Sequence, residues 1–93
     1  MQFRNEQAFL SAVVDLAKMT GRLVHHDRMK QNVQGNPGFF DLVIAGRGRV
    51  LFWELKMPKG IISQEQMKWL AAVPGSRVLY PSDWDWIVEE LRA

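Results

Sequence analysis

Cysteine is absent from this chain of 93 residues. Its absence excludes a disulfide framework, a thiolate metal site and a cysteine nucleophile, and it fits a reducing cytosol. No apolar run approaches the roughly 18 residues that a membrane-spanning helix needs. The first residues, Met1 to Arg4, lack the pattern of a signal peptide. We therefore expect a cytoplasmic protein without a membrane partner.

Excess charge of either sign is also scarce, because the formal net charge is only +2. A weakly basic chain can still carry a strongly basic face, so the arrangement of charge matters more than its sum. Hydrophobic residues make up 47% of the sequence, and aromatic residues 11%. This composition predicts a packed globule rather than a disordered chain. The sequence shows no linker or internal repeat, and we expect one domain over residues 1–93.

The centre of the chain has the pattern of a β-hairpin. Two apolar runs of strand length, residues 39–45 and 50–55, flank a glycine-containing turn at residues 46–49. Side chains two positions apart on a strand share a face, so Glu54 and Lys56 project together. Asp41 begins the partner strand and can pair close to either of them.

This pairing would bring the carboxylates of Asp41 and Glu54 side by side. Two such charges about 4 Å apart repel by about 4 kcal/mol at an effective dielectric constant of about 20. Lys56 can offset part of that repulsion, and a hard divalent cation with oxygen ligands can offset the rest. The simpler alternative is that Glu54 and Lys56 are surface residues of a half-exposed strand, with Asp41 a polar residue at a strand start.

The residues around this trio resemble a known family. An aspartate followed after a dozen residues by Glu-Leu-Lys resembles the D…(D/E)-x-K site of the PD-(D/E)XK nuclease superfamily. The closest likeness is to its VRR-NUC branch, whose pattern is G-x-P-D-L, a strand ending E-V-K, a proline/glycine loop and S-x-x-Q-x-x-W-L. Here GFFDL stands at residues 38–42, ELK at 54–56, PKG at 58–60 and SQEQMKWL at 63–70. Phe40 replaces the usual proline, which leaves the local geometry open.

Caps and periodicity predict the order α-β-β-β-α-β-α. Asn5 caps a first helix that runs to about Met19 and stops at Gly21, and strands follow at residues 22–26 and 77–80. The resemblance implies a restriction-endonuclease-like core with a mixed four-stranded sheet and an added C-terminal helix. The helix between strands three and four is a crossover, which makes that pair parallel.

The helical stripes predict which residues pack. We expect the second helix to pack through Met67, Leu70, Ala71 and Val73, with Trp69 in the core. Ser82 should cap the last helix, whose stripe is Trp84, Ile87, Val88 and Leu91. Trp86 falls on the opposite side of that helix, where an exposed indole would mark a contact surface.

The resemblance implies a magnesium site, with manganese as a possible substitute. Asp41, Glu54 and the backbone carbonyl of Leu55 would hold the ion, and Lys56 would position a water or stabilise charge on the phosphate. Glu6 has two interpretations: a first-turn residue favoured by the helix dipole, or a ligand that joins through a water. Gln66 also has two, as the partner of Ser63 in a capping box or as a side chain that lines the site. We expect that it cannot do both at once.

Several basic residues are candidates for contacts with DNA phosphates: Arg22, Arg28, Lys30, Arg47, Arg49, Lys59 and Lys68. The alternative for each is an ordinary solubilising charge. Nothing resembles a recognition helix, so substrate choice should follow DNA shape.

The leading expectation is a metal-dependent, structure-specific DNA endonuclease, a Holliday-junction resolvase of phage type that acts as a homodimer in a bacterial or phage-infected cell. Two-fold symmetry of a junction is matched by that of a dimer. The last helix with Trp86 would form the dimer contact. The alternatives are a flap-cutting or nicking endonuclease with the same site, or a non-catalytic DNA-binding module of a phage or replication complex.

Overall fold

The computed structural model describes residues 1–26 and 37–93. Within them the chain forms α1 (Glu6–Met19), β1 (Leu23–His26), β2 (Leu42–Gly46), β3 (Arg49–Leu55), α2 (Gln64–Ala72), β4 (Arg77–Leu79) and α3 (Trp84–Arg92), with a 3-10 turn, Pro81–Asp83, before α3. The predicted element order is therefore confirmed, and the protein is an α/β domain with three helices in its described part. None of these described helices is long and apolar enough to cross a bilayer.

The first helix begins and ends as its sequence predicts. The side-chain oxygen of Asn5 accepts a hydrogen bond of 2.8 Å from the backbone N–H of Ala8, which satisfies one of the donors left unpaired at a helix start. Beyond Met19 the chain turns through Gly21, whose φ of +81° suits a residue without a Cβ. Asn5 and Gly21 thus fix the length of α1.

The strands form one open, mixed sheet of order β1-β2-β3-β4. The first two pairs of neighbours are antiparallel and β3–β4 is parallel, as the crossover through α2 predicts. Gly46 pairs with Arg49, which leaves Arg47 and Gly48 as a two-residue turn. Both have positive φ, +55° and +76°, the signature of a type I′ turn that matches the twist of the strands it joins.

The core lies between one face of the sheet and the helices α1 and α3. Alternate residues of β2 and β3 point into it, with Trp53 and Leu55 as neighbours on β3. Each fully buried apolar side chain contributes about 1.5–3 kcal/mol relative to exposure. The core residues are Phe9, Leu10, Val13, Val14, Ala17, Leu42, Ile44, Leu51, Trp53, Leu55, Leu79, Ile87 and Leu91.

Helix α3 differs from its sequence-based description in two ways. It begins at Trp84 with Asp83 as the N-cap residue, so the prediction that Ser82 caps it is wrong. Ser82 lies instead within the 3-10 turn, Pro81–Asp83, that precedes the helix. The prediction of an exposed Trp86 is also wrong. Its ring lies 5.9 Å from that of Trp53, and the guanidinium of Arg77 covers it at 4.4 Å. Trp86 is therefore a half-buried part of the fold, not a contact surface.

Helix α2 is rotated by about one residue from the predicted packing. Met67 is 52% exposed and Ala71 is exposed, so their assignment to the packed face is wrong. The half-buried stripe of α2 consists of Gln66, Trp69, Leu70 and Val73. The first residue of this stripe, Gln66, is polar because its side chain donates a hydrogen bond to Glu54. No residue of α2 is fully buried.

Candidate metal-binding site

The hairpin register brings Asp41 and Glu54 together, as the turn position predicts. Leu42 pairs with Trp53, and the next position in the same register sets Asp41 against Glu54. A carboxylate oxygen of Asp41 accepts the backbone N–H of Leu55 at 2.9 Å. The side chain of Asp41 therefore spans the gap between the strands, just before β2 begins.

Both acidic residues lie inside the protein, with only 3% of Asp41 and 1% of Glu54 accessible to solvent. Burying an ionised carboxylate is costly unless charges or hydrogen bonds compensate for the loss of water. Among the described residues, a backbone N–H donates to Asp41 and a side-chain amide donates to Glu54. A pair of carboxylates held this way is an oxygen-rich environment that a hard divalent cation would stabilise.

The carbonyl of Leu55 lies on the same side as Asp41. Lys56 donates its N–H to the carbonyl of Leu79 on β4, so the backbone groups of Leu55 point the opposite way, toward β2. The N–H of Leu55 does so in its bond to Asp41. Because a strand residue directs its N–H and C=O to one side, the Leu55 carbonyl is placed as a third oxygen beside the two carboxylates.

Gln66 performs both roles that the sequence presents as alternatives. Its Oε1 accepts the backbone N–H of Ser63 at 2.9 Å, and the hydroxyl of Ser63 accepts the N–H of Gln66 at 3.1 Å, which completes the capping box. Its Nε2 donates to Oε2 of Glu54 at 2.6 Å. The expectation that one side chain cannot do both is wrong, because the amide has an acceptor end and a donor end.

Gly38 lets the chain before Asp41 pass directly against the start of α2. A Cβ at this position would lie 2.5 Å from the carbonyl carbon of Glu65 and 2.6 Å from the nitrogen of Gln66. Its φ is +82°, so both the contact and the backbone conformation require glycine. The sequence contains this glycine in its motif, but its contact with α2 is a tertiary feature that the motif does not reveal.

An aromatic cluster borders the carboxylates. Phe40, which stands where the resembled family has proline, is 3% exposed and packs 5.5 Å from the ring of Phe52. Phe39 meets Trp69 edge to face at 4.9 Å. These four rings join the approach to β2, the strand β3 and the helix α2. The packing of Phe40 thus holds the chain in place just before Asp41, where the proline of the resembled family would do so through its fixed φ.

Lys56 lies directly after the last residue of β3, Leu55. It is half-buried, and its stem runs beside Gly60, where a Cβ would approach the Cδ of Lys56 to 3.1 Å. That Glu54 and Lys56 share a face stays a prediction from strand alternation.

Glu6 lies half-buried in the first turn of α1. Among residues 1–26 and 37–93, no three side chains of histidine, cysteine, aspartate or glutamate converge as a metal-binding group. The structure therefore does not assemble Glu6 with Asp41 and Glu54 into a triad of ligands. The residues that fit a cation are two carboxylates and a backbone carbonyl, and Mg²⁺ commonly takes one or two protein carboxylates and keeps several waters.

Arg22 has a structural role that its assignment to DNA overlooked. It is only 4% exposed. Burial and the neighbouring guanidinium groups of Arg47 and Arg49 lower the pKa of Arg22 below its usual value. A side chain enclosed in this way is not available to DNA phosphates, and we remove it from the candidate interface. Its donors reach four backbone carbonyls, those of Gly46, Glu90, Leu91 and Ala93.

Arg47 and Arg49 stand at the turn of the hairpin, about 17 Å along the strands from the carboxylates at about 3.4 Å per residue. Arg47 donates to the carbonyls of Thr20 and Ala93, and Arg49 forms a salt bridge with Glu90. Arg47 and Arg49, predicted as contacts to DNA phosphates, thus stand at the far end of the hairpin and contact groups of the protein itself. They serve the C-terminal ends of α1 and α3, where the helix dipole favours cations.

Lys59 and Lys68 are exposed, in the loop after β3 and on α2. Lys68 lies 3.2 Å from Glu65, an exposed pair of the kind that contributes little to stability. Lys68 and Glu65, together with Trp69 and Ala72 of the same helix, line a shallow depression of about 250 Å³. Arg28 and Lys30 lie outside the described residues.

Comparisons with protein families, with curated proteins and with solved structures found nothing that matches this chain.

Proposed function

We propose that this protein is a metal-dependent DNA endonuclease with a restriction-endonuclease-like core of the VRR-NUC type. One observation carries the proposal: Asp41 and Glu54 are buried side by side on the central hairpin. Burial of two acids on neighbouring strands costs free energy of desolvation, which a bound cation would help to offset. The order of elements, the parallel β3–β4 pair and the ELK sequence at residues 54–56 support the same interpretation.

The residues divide the work as follows. Asp41, Glu54 and the carbonyl of Leu55 would hold Mg²⁺, or Mn²⁺ in its place. A cation held there would supply Lewis-acid chemistry, by activating a water and neutralising charge on the scissile phosphate. Lys56 places its ammonium beside that phosphate and stabilises the negative charge that develops during attack. Gln66 orients Glu54 by donating to one of its carboxylate oxygens.

The reaction is hydrolysis of a phosphodiester. The oxygen of the water forms a new bond to phosphorus, the bond from phosphorus to O3′ breaks, and the proton released by the water is delivered through solvent to that O3′. The products are a 5′-phosphate and a 3′-hydroxyl, as the resemblance to the family implies. In this proposal the role of Lys56 is electrostatic: its positive charge stabilises the phosphate during attack.

The substrate in this proposal is branched DNA, with a four-way junction as the leading case and two copies of the chain as the active species. When Arg22, Arg47 and Arg49 are removed from the predicted DNA surface, Lys59 and Lys68 are the predicted DNA contacts that remain in the described part of the chain. So few phosphate contacts per chain give weak binding, and a homodimer would double them. Trp86 is not available for the dimer interface because it packs on Trp53.

The test is cleavage of a labelled four-way junction, with linear duplex, flap and single-stranded DNA as controls, in Mg²⁺ and in EDTA. Paired, symmetrical cuts on the junction alone support the dimeric resolvase. Cuts on flaps or duplex retain the endonuclease and remove the junction specificity. Absence of cleavage with every divalent ion, together with DNA binding, overturns the endonuclease and favours a non-catalytic DNA-binding module.

A further inference from the structure

The orientation of the Gln66 amide is fixed by the start of α2. Its Oε1 faces the N–H of Ser63 and its Nε2 faces Glu54. A flipped amide would set its NH₂ group against the N–H of Ser63, a donor against a donor, and its oxygen against the carboxylate, an acceptor against an acceptor. Gln66 can therefore present only its donor to Glu54 while the capping box is intact.

The same box holds the backbone of Gln66 through the hydroxyl of Ser63. Gly38 closes the other side, because its Cα approaches the peptide between Glu65 and Gln66 too closely for any side chain. Helix α2 has no fully buried residue, so little apolar burial holds its first turn in place. The local contacts of Ser63 and Gly38 fix the position of the first turn, and the ring of Trp69 packs the next turn against Phe39.

We infer that Ser63 is a positioning residue for Glu54, and that the capping box makes formation of α2 and orientation of the Glu54 carboxylate a single event. Ser63 itself touches no group of the carboxylate site among its hydrogen bonds. It acts through Gln66, whose amide oxygen faces the N–H of Ser63 and whose NH₂ group faces Glu54. The effect on metal binding rests on the proposed function, but the effect on the Gln66 side chain does not.

The test uses the full chain with isotope-labelled glutamine side chains. Ser63→Ala removes the hydroxyl and leaves the backbone N–H. Ser63→Asp restores an acceptor that is suited to an N-cap. Ser76→Ala is the matched control, because the hydroxyl of Ser76 donates to the carbonyls of Leu70 and Val73 at the other end of the same helix.

In metal-free protein, the NH₂ protons of Gln66 should exchange with solvent several times faster in Ser63→Ala than in wild type. Calorimetry should show Mg²⁺ binding weakened by about fivefold, the fold-change that matches loss of an N-cap. Ser63→Asp should restore both values. Ser76→Ala should lower the melting temperature by about as much as Ser63→Ala does. It should change neither the exchange rate of the Gln66 NH₂ protons nor the Mg²⁺ affinity.

Equal changes in Ser63→Ala and Ser76→Ala, or an unchanged Gln66 side chain in Ser63→Ala, would overturn the inference. If Ser63→Ala does not fold, Ser63→Gly takes its place, because glycine at an N-cap costs the helix only a few tenths of a kcal/mol. If the exchange rates change as expected but wild type binds no Mg²⁺ and cuts no DNA, the positioning role stands and the proposed function fails.

Discussion

The two ends of the β2–β3 hairpin bury charge of opposite sign. At the turn, the guanidinium groups of Arg22 and Arg47 bind backbone carbonyls at the C-terminal ends of helices. At the open end, Asp41 and Glu54 accept hydrogen bonds from a backbone N–H and a side-chain amide. At both ends, therefore, uncharged dipoles of the protein solvate ionic side chains.

The two ends of the hairpin differ in the charges that lie beside their ionic side chains. The arginines at the turn also have an anionic partner nearby, because Arg49 forms a salt bridge with Glu90. Asp41 and Glu54 stand at opposed positions of the two strands, where like charges at close range repel. The turn end is thus a structural element in which arginines contact carbonyls and a glutamate, whereas the open end brings two acidic residues together. In the proposed function a cation would offset their repulsion.

The largest effect is expected at the open end. Asp41→Asn keeps an oxygen for the N–H of Leu55 but removes the negative charge, and Lys56→Ala removes the nearby ammonium. Each should lower single-turnover cleavage by about 10²–10³-fold or more, with a melting temperature close to that of wild type. Cleavage near the wild-type rate in both variants would exclude this site.

Arg22→Met removes the buried guanidinium group at the turn end of the hairpin. It leaves the carbonyls of Gly46, Glu90 and Leu91 without their buried donor, and we expect a loss of about 3 kcal/mol in the free energy of unfolding. Urea unfolding measures this loss. DNA affinity under conditions where the variant remains folded should equal that of wild type, and a lower affinity there would return Arg22 to the DNA surface.

Gly38→Ala tests how tightly the open end is built, with Gly21→Ala as its control. The two glycines have nearly the same φ, +82° and +81°, but a Cβ at Gly21 meets nothing within 4 Å. Both variants therefore carry the backbone strain of about 1–2 kcal/mol, and only Gly38→Ala displaces α2. Calorimetry should show weaker Mg²⁺ binding in Gly38→Ala alone. Equal losses in both would assign the effect to strain.

The smallest effects concern the exposed lysines. Lys59→Ala should weaken DNA binding and reduce the slope of log K against log salt by about 0.9, the value for one phosphate contact on duplex DNA. Arg47→Ala should leave this slope unchanged, because Arg47 contacts carbonyls. A titration from low to moderate salt with duplex DNA measures both. A smaller slope in Arg47→Ala would place the turn on the DNA.

The parts of this protein that depend on neighbouring residues were predictable. The I′ turn at Arg47 and Gly48 sets the hairpin register, so the pairing of Asp41 with Glu54 follows from counting along two strands. Asn5 caps α1 through a residue three positions away. The metal binding and the cleavage proposed for this site stay predictions.

The parts that depend on distant residues were not predictable. Arg22 binds the carbonyl of Leu91, 69 positions along the chain, and no local pattern distinguishes such an arginine from one on the surface. The face that α2 turns toward the sheet depends on the hydrogen bond from Gln66 to Glu54 on β3, which the helical pattern does not show. Trp86 was misplaced because the helical stripe does not show that Arg77 and Trp53 enclose its ring.

The absence of fully buried residues from α2 also determines how the molecule fluctuates. A helix held by half-buried side chains and one capping box opens at a lower free energy than one packed into the core. Amide hydrogens of residues 67–72 should therefore exchange through local opening, whereas those of α1 wait for global unfolding. Opening of α2 withdraws Gln66 from Glu54. A ligand that needs the oriented carboxylate should therefore slow hydrogen exchange in α2. Slower exchange there would report binding at the site without an assay of catalysis.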